Sequence, residues 1–209
     1  MNQTLLEVLR PFQGVDNIFQ IHEDGTKQTE LSNKGRFGFW VERQFGLLPN
    51  KDQWPDLNGV ELKSVLVEGT ANRPVFKPIA IGNLTASEHR GLVEGSISWE
   101  HTLPFRKTSN TLYVFYRKTE DLWYCIDRQC HVSINEQDKS FLDRLETDLK
   151  KLIAQITQLS YDDLKESGHQ FGTELVTIRP KGDAYYVYPC WHFTKEWSSM
   201  MYRAQPRES

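Results

Sequence analysis

Trp54-Pro55-Asp56-Leu57-Asn58-Gly59-Val60-Glu61-Leu62-Lys63-Ser64-Val65-Leu66-Val67 is the stretch on which the fold turns. Pro55 and the Asn58-Gly59 pair are turn chemistry. Val60 to Val67 then reads as a short strand rich in branched apolar residues. Side chains alternate faces along a strand, so Glu61 and Lys63 point the same way. Asp56 stands just before the strand and reaches the same edge. Two carboxylates and an ammonium at one edge suit a hydrolytic metal site, in which hard oxygen ligands hold Mg²⁺ and the lysine sits beside the attacking water. The pattern Asp-x4-Glu-x-Lys alone is common, and a strand whose Glu and Lys merely face solvent carries the same letters.

Working outward, 209 residues make one substantial domain and are too few for two independent cores. Charged residues at 25% and apolar ones at 38% are an ordinary soluble composition. No apolar run reaches the length of a membrane span, and the N-terminus lacks a basic region followed by an apolar one. The three cysteines, Cys125, Cys130 and Cys190, have no CxxC spacing, which points to reduced thiols in a cytoplasm. A zinc set of Cys125, Cys130 and His131 lacks close spacing and a fourth ligand. The formal net charge of −3 weighs mildly against nucleic acid as a partner. A basic cleft can nonetheless coexist with an acidic exterior.

Residues 1–12 read as a short amphipathic helix through Leu5, Leu6, Val8 and Leu9, with a turn later at Glu23-Asp24-Gly25. A helix starts at Ser32 or Asn33 and runs to Phe45, stopping near Gly46. Gly35 and Gly38 lower its propensity but permit close approach of a strand or of a DNA backbone. A second strand is predicted over Val75–Leu84, limited by Pro74 and Pro78. Ser87–Gly95 reads as a polar segment. Ser96 to His101 leads into the buried strand Thr111–Tyr116, which pairs as a hairpin with Leu122–Ile126. Phe141, Leu145, Leu149, Leu152, Ile153 and Ile156 give a helix over Ser140–Leu159. Tyr161–Gly168 is a further helical turn. Strands follow at Glu174–Pro180 and Ala184–Tyr188, then a last helix from Thr194 to Arg203 with Trp197, Met200 and Met201 on one side. The interleaving lacks a regular βαβ rhythm, so the expected class is α/β (α+β), a mixed central sheet flanked by helices.

The order of motifs carries a resemblance. Lys34-Gly-x-x-Gly38-x-x-x-Glu42 followed by Pro55-Asp56-Leu57-Asn58-Gly59-Val60-Glu61-Leu62-Lys63 resembles the core of MutH-type endonucleases, in the PD-(D/E)xK nuclease superfamily. Ser98-Trp99-Glu100-His101 with Leu112-Tyr113-Val114, Ile178-Arg179-Pro180-Lys181, and Trp191 to Ser198 are similar to later blocks of that family, in the same order. The likeness spans roughly residues 30 to 203. The four residues between Asp56 and Glu61 resemble the related MvaI/BcnI type II restriction enzymes. That branch also has a catalytic-site histidine in its late segment, where His192 falls. The repair branch places its first acid further away, a position that Asp52 could supply.

The resemblance implies a PD-(D/E)xK restriction-endonuclease-like fold, with 1–209 as a single endonuclease domain, its catalytic core at about 32–130 and DNA-recognition and C-terminal elements at about 131–203. It implies a Mg²⁺-dependent, sequence-specific DNA endonuclease, with Mn²⁺ as a substitute ion. Asp56, Glu61 and the Leu62 carbonyl would hold the metal, Lys63 would orient the water, Glu42 would reach the site from the neighbouring helix, and His192 would act at the scissile phosphate. Lys34, Arg106, Lys107, Arg179, Lys181 and Lys195 are the DNA-contact candidates. The partner is double-stranded DNA and not a membrane. A monomer is preferred, with a possible dimer on DNA, and a methyltransferase encoded nearby is expected. Alternatives are a methyl-directed nicking enzyme of mismatch repair and a non-catalytic DNA-binding module. Trp191 and Trp197 are expected in the core, and Glu100 in a structural hydrogen bond.

Overall fold

The computed structural model describes residues 7–12, 19–20, 36–47, 59–70, 72–108, 110–118, 123–133, 139–166, 171–182 and 187–203. In chain order the elements are β1 (Phe19–Gln20), α1 (Arg36–Gln44), β2 (Glu61–Thr70), β3 (Arg73–Phe76), β4 (Ile79–Asn83), α2 (Ala86–Val93), α3 (Leu103–Thr108), β5 (Asn110–Lys118), β6 (Trp123–Ser133), α4 (Lys139–Ile156), α5 (Tyr161–Glu166), β7 (Phe171–Gly172), β8 (Val176–Gly182), β9 (Val187–Phe193) and α6 (Lys195–Arg203). Short 3-10 turns lie at Arg10–Phe12 and Trp99–His101. The class is mixed α/β with two sheets, one mixed and one antiparallel. Two compact units form: Met1–Phe76 with Asn110–Val132 and Met201–Ser209, and Lys77–Ser109 with Ser133–Met200.

In the first unit the strand order is β1-β6-β5-β2-β3. β2 runs parallel to β5, with Glu61 opposite Thr111 and Leu66 opposite Tyr116, and antiparallel to β3 through Val67–Thr70. The turn into β3 depends on Gly69, whose φ is +76° and where a Cβ would stand 2.5 Å from the Arg73 carbonyl oxygen. Leu62, Ser64 and Leu66 share one face of β2. Leu62 and Leu66 pack there with Leu9, Phe37, Val41, Val60, Leu112, Val114, Tyr116 and Ile126. α1 lies on that face. Phe37 stacks on Tyr116 with ring centroids 3.9 Å apart, and a Cβ on Gly38 would sit 3.4 Å from Ser64 Oγ. The small residue at 38 thus permits the close helix–strand approach that the sequence suggests. α1 ends where expected, with Gly46 at φ +73°. Its proposed caps, Ser32 and Asn33, lie outside the described residues. Of the N-terminal segment, Glu7–Leu9 are helical and run into the 3-10 turn.

The opposite sheet face carries Val65, Val67 and a cluster of rings. Phe76, Phe115 and Tyr202 have centroids 5.2 to 6.1 Å apart. Asp127 Oδ2 accepts from Arg117 Nε (3.1 Å) and from the Tyr202 hydroxyl (2.8 Å), and Arg117 Nη1 donates to the Gly69 carbonyl (2.8 Å). These bonds tie three strands and the end of α6 together.

The second unit is the antiparallel sheet β4-β9-β8-β7 with helices packed on it. Leu145, Leu149, Leu152 and Ile156 of α4 are fully buried at helical spacing. Each such side chain stabilises by about 1.5–3 kcal/mol relative to exposure. Asp148 Oδ2 accepts from Leu175 N at 2.6 Å, pinning α4 to the start of β8. Trp191 and Trp197 are core residues, as expected, and Trp197 stacks on Phe193 at 4.2 Å.

Several expectations are corrected. The strand predicted over Val75–Leu84 is two strands in different sheets, β3 and β4, broken at Lys77-Pro78. Proline offers no N–H to a ladder and confines the residue before it. The segment Ser87–Gly95 is largely helix α2, not a polar loop. Thr85 is its N-cap, its Oγ1 accepting from Glu88 N at 3.1 Å. Ser96 to His101 does not lead directly into a strand, because the 3-10 turn and α3 intervene. The last strand runs past the expected Tyr188 to Phe193, and Ala184 to Tyr186 are outside the described residues. Among the described residues no helix is long and apolar enough to cross a membrane.

Candidate functional site

Glu61 and Lys63 come together at the start of β2. Lys63 Nζ forms an ion pair with Glu61 Oε1, the carboxylate only 2% exposed and the ammonium 19%. The strand enters from Gly59 at φ +91°, the left-handed position that the Asn58-Gly59 turn predicts. Asp56 and Lys34 lie outside the described residues, as does Asp52. Among the described residues no group of three or more His, Cys, Asp and Glu side chains is placed to hold a metal. The Asp56–Glu61 pair is outside that test.

The Leu62 side chain points into the core on the α1 face, so Leu62 can offer a cation only its carbonyl. Glu42 is half-buried on α1, one turn beyond Gly38 and thus on the helix side toward β2. This is the sheet face opposite to that of Glu61 and Lys63. Along Glu61–Leu66, β3 does not pair with β2, because its register begins at Val67.

The face bearing Glu61 and Lys63 continues onto β5 and β6. Thr111 and Tyr113, the register partners of Glu61 and Lys63, are both fully buried. His131 Nε2 donates to Asn110 Oδ1 at 2.6 Å. The sequence puts Thr111 and Tyr113 in a core strand and gives no sign of a role for them. Only the β2–β5 register, set by residues fifty positions apart, brings them beside the ion pair.

In the second unit three further candidates gather on one face of β8 and β9. The register sets Thr177 opposite His192, Arg179 opposite Cys190 and Lys181 opposite Tyr188. Alternation therefore puts Arg179, Lys181 and His192 on the same face. His192 Nδ1–H donates to the Cys190 carbonyl at 2.9 Å, which leaves Nε2 as the ring's lone-pair nitrogen. Burial foremost lowers its pKa, the Cys190 carbonyl opposes this, and the nearby Arg179 and Lys181 charges lower it further. His192 is accordingly a neutral base near pH 7. Arg179 is half-buried and Lys181 exposed.

Arg106 and Lys107 belong elsewhere in that unit. Glu88 Oε1 accepts from Leu103 N at 3.0 Å, and Glu88 Oε2 from Trp191 Nε1 at 3.4 Å. These bonds fix the start of α3 to the Trp191 side of the sheet, opposite His192. Lys195 is exposed in the first turn of α6. Ser98 Oγ donates to Glu100 Oε2 at 2.5 Å, so Glu100 makes the structural bond expected of it.

Glu88 also sets a pH dependence. Burial foremost raises its pKa above the ordinary 4.5, against the bonds from Leu103 and Trp191 and the Arg106 charge. A raised folded pKa contributes stability that is present below the unfolded pKa and lost as pH rises through the folded one. Glu88→Gln cannot ionise. Its thermal midpoint, followed between about pH 4 and pH 7, is expected to gain on the wild type as pH rises. A constant gap across that range would contradict this.

Comparison of the sequence with protein-family models gives no match, and comparison with curated proteins gives none.

Proposed function

We propose that this chain is a Mg²⁺-dependent, sequence-specific DNA endonuclease of the restriction type, on a PD-(D/E)xK fold. The observation that carries the reading is the buried Glu61 carboxylate paired with Lys63 at the start of a strand in a mixed sheet. A carboxylate this buried beside an ammonium is costly unless the site uses both charges.

Hard oxygen donors fit Mg²⁺, and the residues that would hold it are Glu61, Asp56 and the Leu62 carbonyl. When bound, the ion polarises the scissile phosphate and acidifies water. Lys63 positions the attacking water and offsets the charge that develops on the phosphate. Glu42 would join them from α1. Arg179 and Lys181 are suited to the DNA backbone, and the neutral His192 to accepting a proton or hydrogen bond at Nε2. The Asp56–Glu61 spacing and His192 favour restriction over repair.

Supercoiled plasmid incubated with the protein and Mg²⁺, beside an EDTA control, tests the reading. Defined linear fragments are expected with Mg²⁺ only. Nicked circles alone would transfer the chain to the repair type, and intact plasmid with every divalent metal would end the nuclease reading.

A further inference from the structure

Gln129 of β6 is 4% exposed, and its Oε1 has no hydrogen-bond partner among the described residues. Buried acceptors are almost always satisfied, so an open one is a place able to receive a donor. Two cross-strand contacts locate it. His131 meets Asn110 while Asp127 meets Arg117, so β5 and β6 run antiparallel and Gln129 lies opposite the stretch Leu112–Phe115. Gln129 shares a face with Asp127, and hence with Arg117 and Tyr113. Tyr113 is the register partner of Lys63. Lys63, Tyr113 and Gln129 thus form a polar row across three strands, beside Glu61 and Thr111. Strands lie about 4.8 Å apart, so β2 and β6 are separated by about 10 Å, within the combined reach of a lysine and a glutamine side chain.

Lys63 is held here by Glu61. A cation held by that carboxylate would bring like charge beside the ammonium, which would then need another acceptor. We propose that Gln129 is that acceptor, a positioning residue that holds Lys63 at the reacting phosphate once Glu61 is engaged. This rests on the endonuclease reading above.

Gln129→Met keeps the shape and removes the acceptor, whereas Gln129→Glu keeps an oxygen in place. Three measurements are compared with the wild type: the thermal midpoint without metal, DNA affinity in Ca²⁺, and single-turnover cleavage in Mg²⁺. For Gln129→Met the midpoint is expected to hold or rise, since an unsatisfied acceptor is gone. Its affinity should hold and its cleavage slow by about 10- to 100-fold. Gln129→Glu should recover part of the rate. A lowered midpoint for Gln129→Met, wild-type cleavage by it, or no recovery with Gln129→Glu would overturn the proposal. If the wild type cuts nothing, the endonuclease reading itself falls. If the wild type and Gln129→Met cut equally, only this inference does.

Discussion

Lys63→Ala is expected to slow single-turnover DNA cleavage by at least about 100-fold, or roughly 2.7 kcal/mol of barrier, with DNA affinity in Ca²⁺ little changed. The asymmetry follows from where the ammonium sits. It is held by a carboxylate at the strand start, so it adds little to ground-state attraction for DNA. Its full value appears only as charge develops on the attacked phosphate and the incoming water must be aligned. The substitution also leaves the buried Glu61 carboxylate without the ammonium beside it, so a lower thermal midpoint at neutral pH accompanies the loss. A rate within threefold of wild type would remove Lys63 from the chemistry.

Trp197→Ala is expected to destabilise the protein by about 3–5 kcal/mol, read as a fall in the thermal midpoint on the order of 10 °C. The indole is fully buried and stacks on Phe193 with the ring planes 13° apart. Its removal empties a volume that Phe193 and α6 cannot refill without moving the helix. The effect separates a core tryptophan from one that stacks on bases. A variant of wild-type stability with weakened DNA binding would place Trp197 at the nucleic acid instead.

These expectations differ in how far the sequence alone supports them. Trp197 and the α4 stripe were legible because helical periodicity is local: Leu145, Leu149, Leu152 and Ile156 announce a buried face without any knowledge of what covers it. β2 was legible for the same reason with period two, and so was the shared direction of Glu61 and Lys63. The strand break at Lys77-Pro78 was half legible. Pro78 marks a break in the ladder, but nothing local says that the two halves join different sheets. Thr85 and Glu88 stand three apart, a spacing that marks the start of α2, but the polar letters around them carry a loop's composition. What the sequence could not carry is register. Thr111 and Tyr113 lie beside Glu61 and Lys63, and Arg179 and Lys181 share a face with His192, only through pairings between distant strands. The turn holding Asp56 and the segment holding Lys34 lie outside the described residues; within the structure the proposed metal set is Glu61 and the Leu62 carbonyl.

The most direct test of that edge is the cleavage of supercoiled plasmid by Glu61→Gln beside the wild type, at protein concentrations giving equal DNA binding in Ca²⁺. Glu61→Gln keeps the size of the side chain and removes the charge that would hold a cation. The expected result is Mg²⁺-dependent cutting by the wild type and intact plasmid with the variant. Cutting by Glu61→Gln at the wild-type rate would contradict the placement of the chemistry at the start of β2.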